Sequence, residues 1–249
     1  MNIFIEFIGY PGAGKTLFSR KLIKNFNKKK IKIIKSDKYF FDYYSTNLLN
    51  KLFLKSFYEY KKKMKFESNF IFKTEYKYLK KKLNFLIKKN KLNPAIRNFN
   101  SLLQLTDLNN FSKKTSIDNF KIDLCSFYLD RNKNYNIYND EGLIQKVYQL
   151  YKKNVKINVL ESRINKYLRS VPLPNIVIIV DTNFNKSVKN SFIRDKGFKY
   201  NFKNINETRK IFNKINLHLK IKLKNKTNLF VVKNLRQFDR KLKNFEKNI

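Results

Sequence analysis

The chain has 249 residues, 42% hydrophobic and 30% charged, enough apolar material for a sizeable core and too much for global disorder. Lys and Arg outnumber Asp and Glu by 56 to 18, a formal net charge of +38 that favours anionic ligands and weak RNA binding at low salt. The basic residues are mostly Lys spread along the whole chain, with Asn, Ile, Phe and Tyr abundant and Ala, Gly, Pro and Trp scarce, the usage expected of an AT-rich coding sequence.

In chain order, Ile3 to Ile8 is β-branched and aromatic and stops at Gly9, which predicts a buried first strand. Three of the five glycines then fall in Gly9-Tyr10-Pro11-Gly12-Ala13-Gly14-Lys15-Thr16, which fits the phosphate-binding pattern G-x-x-x-x-G-K-[ST]. Leu17, Phe18, Leu22, Ile23 and Phe26 follow at helical spacing, so the loop has the strand-before, helix-after context its chemistry requires. Ile31 to Ile34 reads as a second strand leading into Ser36 and Asp37. Residues 46–130 read as a helical insertion, broken at Asn93-Pro94 and by polar residues around 109–116. A third strand, 135–139, ends at Asp140-Glu141-Gly142. Helices are expected to start at 143–151 and to span 156–169. Ile176 to Val180 is the cleanest buried strand and ends at Asp181. Helices at 185–195 and 205–222, a strand at 229–232 and a basic helix from about 235 complete the chain. Strands alternating with helices predict an α/β fold with a parallel sheet and right-handed crossovers. No linker divides the chain, so one domain spanning 1–249 is expected.

The residue types at the strand ends carry the chemistry. Gly9, Pro11, Gly12, Ala13, Gly14, Lys15, Thr16 and Leu17 form the expected nucleotide-binding segment, at a helix N-terminus whose dipole favours phosphate. Lys15 is expected to bridge the β- and γ-phosphates of ATP, and Thr16 to place its hydroxyl on Mg2+. Asp140 ends a strand at the edge that faces the ligand crevice in an open parallel sheet, so it is the expected acid of the Mg2+ site; a helix cap is the bland alternative. Glu141 or Asp37 is expected to take the proton of an acceptor hydroxyl. Arg194, in Arg194-Asp195-Lys196-Gly197, is the expected cation over the transferring group; Arg163, Arg169 and Arg209 are weaker candidates. The aromatic run Tyr39 to Tyr44 reads as core packing rather than a base-stacking platform, and His218 as structural. The lone Cys125 excludes an internal disulfide and a cysteine-rich metal site. Met1 runs straight into the first strand and no apolar run reaches about 18 residues, so neither signal peptide nor membrane span is expected and a cytoplasmic setting is.

The order of these features resembles the P-loop kinases of nucleosides, nucleotides and other small molecules, including the thymidylate-kinase-like group. Besides the glycine loop, Asp37 and Asp140, the stretch Pro174-Asn175-Ile176-Val177-Ile178-Ile179-Val180-Asp181 is similar to a strand of those enzymes, with Asn175 in place of an acid. The resemblance covers about 1–45 and 133–249. It implies a three-layer αβα fold with five parallel strands in the order 2-3-1-4-5, ATP and Mg2+ as cofactors, and transfer of the γ-phosphoryl group to a small acceptor. The third strand ends in Asp-Glu-Gly where nucleoside and thymidylate kinases carry Asp-Arg, which leaves a sugar-type acceptor as open as a nucleoside or nucleotide. The alternatives are a nucleotide-dependent ATPase or switch with a protein or RNA partner, an RNA-acting enzyme gripping through the basic 50–92 stretch, and a sulfotransferase. The complete Gly-Lys-Thr and the Asp-Glu pair argue against the last.

Overall fold

Phe4–Gly9 forms the central strand, β1, with all six residues buried. A strand covered on both faces should be apolar throughout; Glu6 is the one charged residue in it. The structure, a computed structural model, describes residues 3–44, 70–106, 108–129, 136–149, 157–194 and 205–245. The remaining strands are β2 (Ile33–Lys35), β3 (Asn136–Asn139), β4 (Ile176–Val180) and β5 (Asn228–Val232). All pairings are parallel, as the alternation of strands and helices predicts, and the order is β2-β3-β1-β4-β5, as the resemblance implied. Asn175 Oδ1 accepts the Phe4 N–H (2.9 Å), which fixes where β1 starts against β4.

The period of two along β1 sorts its side chains onto two faces. On one face Phe7 meets Phe238 at 6.3 Å, and Phe18 meets the same ring at 5.4 Å. Phe18 belongs to α1 (Lys15–Lys28) and Phe238 to α9 (Leu235–Phe245), so these two helices cover that face. On the other face Phe4 stacks on Phe127 at 4.0 Å, just beyond α5 (Asn110–Ser126), and Glu6 receives the N–H of Gln145 (2.6 Å). Helix, sheet and helix therefore form the three layers that the resemblance implied. The other helices are α2 (Ser36–Tyr44), α3 (Phe70–Lys89), α4 (Asn93–Leu103), α6 (Ile157–Ser170), α7 (Phe184–Arg194) and α8 (Ile205–Leu223).

Four local outcomes differ from the sequence expectation. The second strand starts later, at Ile33, because Lys30 turns with φ +59° and the Ile31 N–H closes the end of α1 on Phe26 O (2.9 Å). Helix α2 begins at once after β2, ahead of the expected 46–130 insertion. The rings in α2 behave as expected, with Tyr39 and Phe40 in the core; the side chains of Phe41 and Asp42 lie outside the described residues, as does 45–69. Instead of a polar break through 109–116, Asn109 Oδ1 accepts the Ser112 N–H (2.8 Å) and starts α5 at Asn110. Finally, residues Ile144–Gln149 form a 3-10 turn rather than an α-helix start. The Gln145 N–H is committed to Glu6, and Leu143 through Tyr148 are all buried, so no solvent-facing side of an amphipathic helix exists there.

Gly9 closes β1 with φ +151°, and a Cβ there would lie 2.6 Å from the backbone oxygen of Val180 in β4. Neither the conformation nor the space admits a side chain. Gly9→Ala is expected to destabilise the fold by about 2 kcal/mol or more, read as a fall in the urea midpoint; an unchanged midpoint would contradict this account of the strand end.

Candidate active site

The glycine loop joins β1 to α1 at the C-terminal edge of the sheet. It is a wound turn, with the Ala13 N–H on Tyr10 O (3.0 Å) and the Leu17 N–H on Gly14 O (2.8 Å). Lys15 lies back along the loop, donating to Gly9 O (3.3 Å) and Tyr10 O (3.2 Å), and is 8% exposed. Gln145 grips Gly9, the loop's first residue, at both its backbone groups: its Oε1 accepts the Gly9 N–H (2.8 Å) and its Nε2 donates to Gly9 O (3.0 Å). From α7, Asn190 Nδ2 reaches Gly12 O (3.2 Å). Tyr10 is anchored in a ring cluster, stacked on Phe212 of α8 at 5.7 Å, with its hydroxyl on Asn213 Oδ1 (2.7 Å). The loop is thus set from four directions.

One of the expected acids, Asp140, meets the loop directly. Thr16 Oγ1 donates to Asp140 Oδ2 at 3.1 Å across 124 residues of chain. Asp140 follows β3, the neighbour of β1. Its other oxygen, Oδ1, is paired with Lys35 Nζ at 3.1 Å. Burial alone would raise the Asp140 carboxyl, but the Lys35 charge and the hydrogen bonds it receives outweigh this and hold it below its ordinary range. Lys35 is itself held charged: burial opposes the charge, and Asp140 and then Asp37 overcome that opposition. Asp37 sits in the first turn of α2, where its Oδ1 accepts the Lys38 N–H (2.8 Å). Burial raises its carboxyl above the ordinary value, against the pull of Lys35.

Glu141, the loop residues, His218 and the arginines complete the set. Glu141 is exposed at the end of β3, its N–H held by Asn139 Oδ1 (2.9 Å). Arg194 is the last residue of α7; its side chain and the turn to Gly197 lie outside the described residues. Within the loop, Pro11 has no N–H to offer, and the N–H groups of Gly9, Ala13 and Leu17 have partners inside the protein. Arg163 donates to Ser101 O (2.7 Å) and ties α6 to α4. His218 pairs with Asn165 Oδ1 (2.9 Å) between α8 and α6, the structural role expected of it. Asp181 turns to α8, bonding Lys220 (2.8 Å) and Asn216 (3.1 Å).

Lys35 and Glu6, which support the site, carried little signal in the sequence. Lys35 is concealed by the excess of Lys. Glu6 left one signal, a carboxylate in an otherwise apolar strand. It lies 2% exposed, and Gly142 leaves room for it: a Cβ at Gly142 would come within 2.7 Å of its carboxyl carbon. Burial pushes the Glu6 carboxyl up to about 8, opposed by the Gln145 N–H, so it holds a proton at neutral pH.

Three solved structures of deoxyadenosine kinase from M. mycoides are similar to this chain. The form with bound dATP is 16% identical, covering 98% of this chain and all of that one, with a TM-score of 0.46. The form with bound dCTP is 16% identical over 99% and 100%, with a TM-score of 0.46. The form with dCMP and dCDP is 17% identical over 99% and 100%, with a TM-score of 0.43. No family model matches the sequence, and no curated protein matches it. The chain has the P-loop α/β fold. Its own strand order and the placement of the glycine loop after the central strand establish that.

Hard oxygen donors of the Thr16-Asp140 kind suit Mg2+, and Asp140 Oδ1, paired here with Lys35 Nζ (3.1 Å), is the carboxylate oxygen for which a metal ion or metal-bound water would compete with that ammonium. No group of three or more His, Cys, Asp or Glu that could hold a metal exists among the described residues, so the remaining ligands would have to come from phosphate and water.

The raised Glu6 carboxyl makes a stability prediction with a definite sign. The folded state binds this proton more tightly than the unfolded chain does, so its contribution is present at low pH and is lost as pH rises from about 4.5 to about 8. Glu6→Gln carries no such titration. Its melting temperature relative to wild type should climb across that window; parallel melting curves from pH ~5 to ~8.5 would contradict a buried protonated carboxyl.

Proposed function

We propose that the chain is an ATP- and Mg2+-dependent phosphotransferase that moves the γ-phosphoryl group to a small-molecule acceptor of the nucleoside, nucleotide or sugar type. The observation that carries this is the Thr16-Asp140 contact: a residue at the N-terminus of α1 and an acid from the neighbouring strand meet beside the glycine loop. A glycine loop alone binds phosphate; the loop with this pair supplies hard oxygens next to it as well.

In this reading the N-terminal end of α1, with Gly12, Gly14, Lys15 and Thr16, holds the phosphates, and Lys15 leaves Gly9 O and Tyr10 O to bridge the β- and γ-groups. Thr16 and Asp140 would hold Mg2+, which neutralises charge on the phosphate oxygens when bound. Asp37 accepts the proton of the acceptor hydroxyl. Its raised carboxyl suits that task, because a base is stronger the higher its pKa. The acceptor oxygen then bonds to the γ-phosphorus, the bridging P–O bond breaks, and ADP leaves. Glu141, exposed on the same edge, is the second candidate base, and Arg194 at the end of α7 screens the developing charge. Lys35 stabilises Asp140 as a carboxylate before nucleotide arrives. The deoxyadenosine kinase structures similar in fold hold dATP, dCTP, dCMP and dCDP, so nucleosides and nucleotides head the acceptor panel.

The test is ATP turnover with Mg2+ against pooled nucleosides, nucleotides and sugars, read by mass spectrometry for a product heavier by one phosphoryl group. Lys15→Ala and Asp140→Asn should remain folded and lose about 100-fold or more of the transfer rate. Full activity in folded Lys15→Ala would sink the assignment; ADP formation with no phosphorylated product would turn it toward an ATPase or switch.

A further inference from the structure

We propose that Asp123, carried on α5 between the second and third strands, is a positioning residue of this site: it fixes the ends of β2 and β3 so that Asp37 and Asp140 meet the loop in the working register. The inference rests on the phosphotransferase reading for its purpose and on the following contacts for its geometry. Asp123 Oδ1 accepts the Ser36 hydroxyl (2.8 Å) and the Asn139 side-chain amide (2.7 Å), and that amide also donates to Ser36 Oγ (2.6 Å). Ser36 stands immediately before Asp37, and Asn139 immediately before Asp140. Asn139 Oδ1 then accepts the Glu141 N–H (2.9 Å). A single carboxylate oxygen therefore spaces the two segments that deliver every acid assigned to the reaction.

The other oxygen, Oδ2, lies 3.8 Å from Lys146 Nζ in the 3-10 turn, next to Gln145 with its grip on Gly9. Asp123, Lys146, Ser36 and Asn139 are each at most 9% exposed. Charge is balanced inside the cluster. Burial pushes Asp123 up to about 6, against Lys146 and the donors from Ser36 and Asn139, while Glu6, on the neighbouring strand, is held protonated. Lys146 and Asp123 form one neutral pair.

Stability alone does not call for such a cluster. A buried ion pair contributes no more than well-packed apolar side chains of the same volume. What apolar packing cannot supply is direction. Just past the last paired residues of β2 and β3, Lys35 and Tyr138, three hydrogen bonds of 2.6–2.8 Å direct Ser36 and Asn139 toward each other and toward one carboxylate. A reaction that needs its base and its metal-side acid in register depends on that direction, because a misplacement of about 1 Å costs about 100-fold in rate.

The experiment compares Asp123→Asn, which retains an oxygen acceptor, with Asp123→Ala, which does not. Ser36→Ala, which deletes one donor, replaces Asp123→Ala if that variant does not unfold cooperatively. Calorimetry measures ATP affinity with Mg2+ and with EDTA, and steady-state kinetics gives kcat and KM. Expected are metal-free ATP affinity within about 2-fold of wild type, a reduced gain in affinity on adding Mg2+, and kcat lower by about 10-fold in Asp123→Asn and about 100-fold in Asp123→Ala with KM for ATP little changed. Folded variants that keep both the Mg2+ gain and kcat of wild type overturn the inference. So does a loss of metal-free affinity in step with kcat, which marks a general structural role. Should wild type bind MgATP yet phosphorylate no acceptor, the phosphotransferase reading falls, while the Mg2+ gain in the variants still decides the role of Asp123.

Discussion

The structure turns on one residue. The central strand ends at Gly9, and both its N–H and its C=O are taken by the side chain of Gln145. A side-chain amide has one donor end and one acceptor end, so it can act as a short piece of neighbouring strand where the sheet itself stops. That bond fixes the direction in which the glycine loop leaves the sheet, and with it the placement of Lys15 and Thr16. Gln145 is in turn held by its own N–H on Glu6, a carboxyl buried in the same strand. Strand, turn and loop form a closed ring of hydrogen bonds, and the site is built on its outer side.

How much of this was legible in the sequence follows from the range of each interaction. The glycine loop is local chemistry: spacing and residue type carry it, and Gly9 to Thr16 stands where expected. The inner strands β1 and β4 were legible because buried parallel strands are near-continuous apolar runs, as Ile176 to Val180 shows. The Thr16-Asp140 contact was inferable from fold order, since neighbouring strands bring their ends together. The clamp was not. Gln145 lies in a stretch that looks like the start of a helix, and only the long-range bond from its N–H to Glu6 tightens it into a 3-10 turn. Asp123 left no signal either, because the apolar residues of α5 do not gather on one face and its carboxylate looks like any polar residue of a solvated helix. Lys35 carried no contrast in a chain with 56 Lys and Arg.

Electrostatics divides the edge of the sheet into two parts. The outer part is charged: Lys35 pairs with Asp140 and feels the charge of Asp37. The inner part is close to neutral, with Glu6 protonated and Asp123 matched by Lys146.

Glu6 and Gly142 share one volume, since the carboxyl group fills the space where a Cβ at Gly142 would stand. Neither position is then free to drift alone. A lineage that lengthens residue 142 must first shorten residue 6, and one that shortens residue 6 leaves the Gln145 N–H without its acceptor until another group arrives. The two positions form an epistatic pair, far apart in the gene and adjacent in the fold. Relatives of this chain should change at both sites together or at neither.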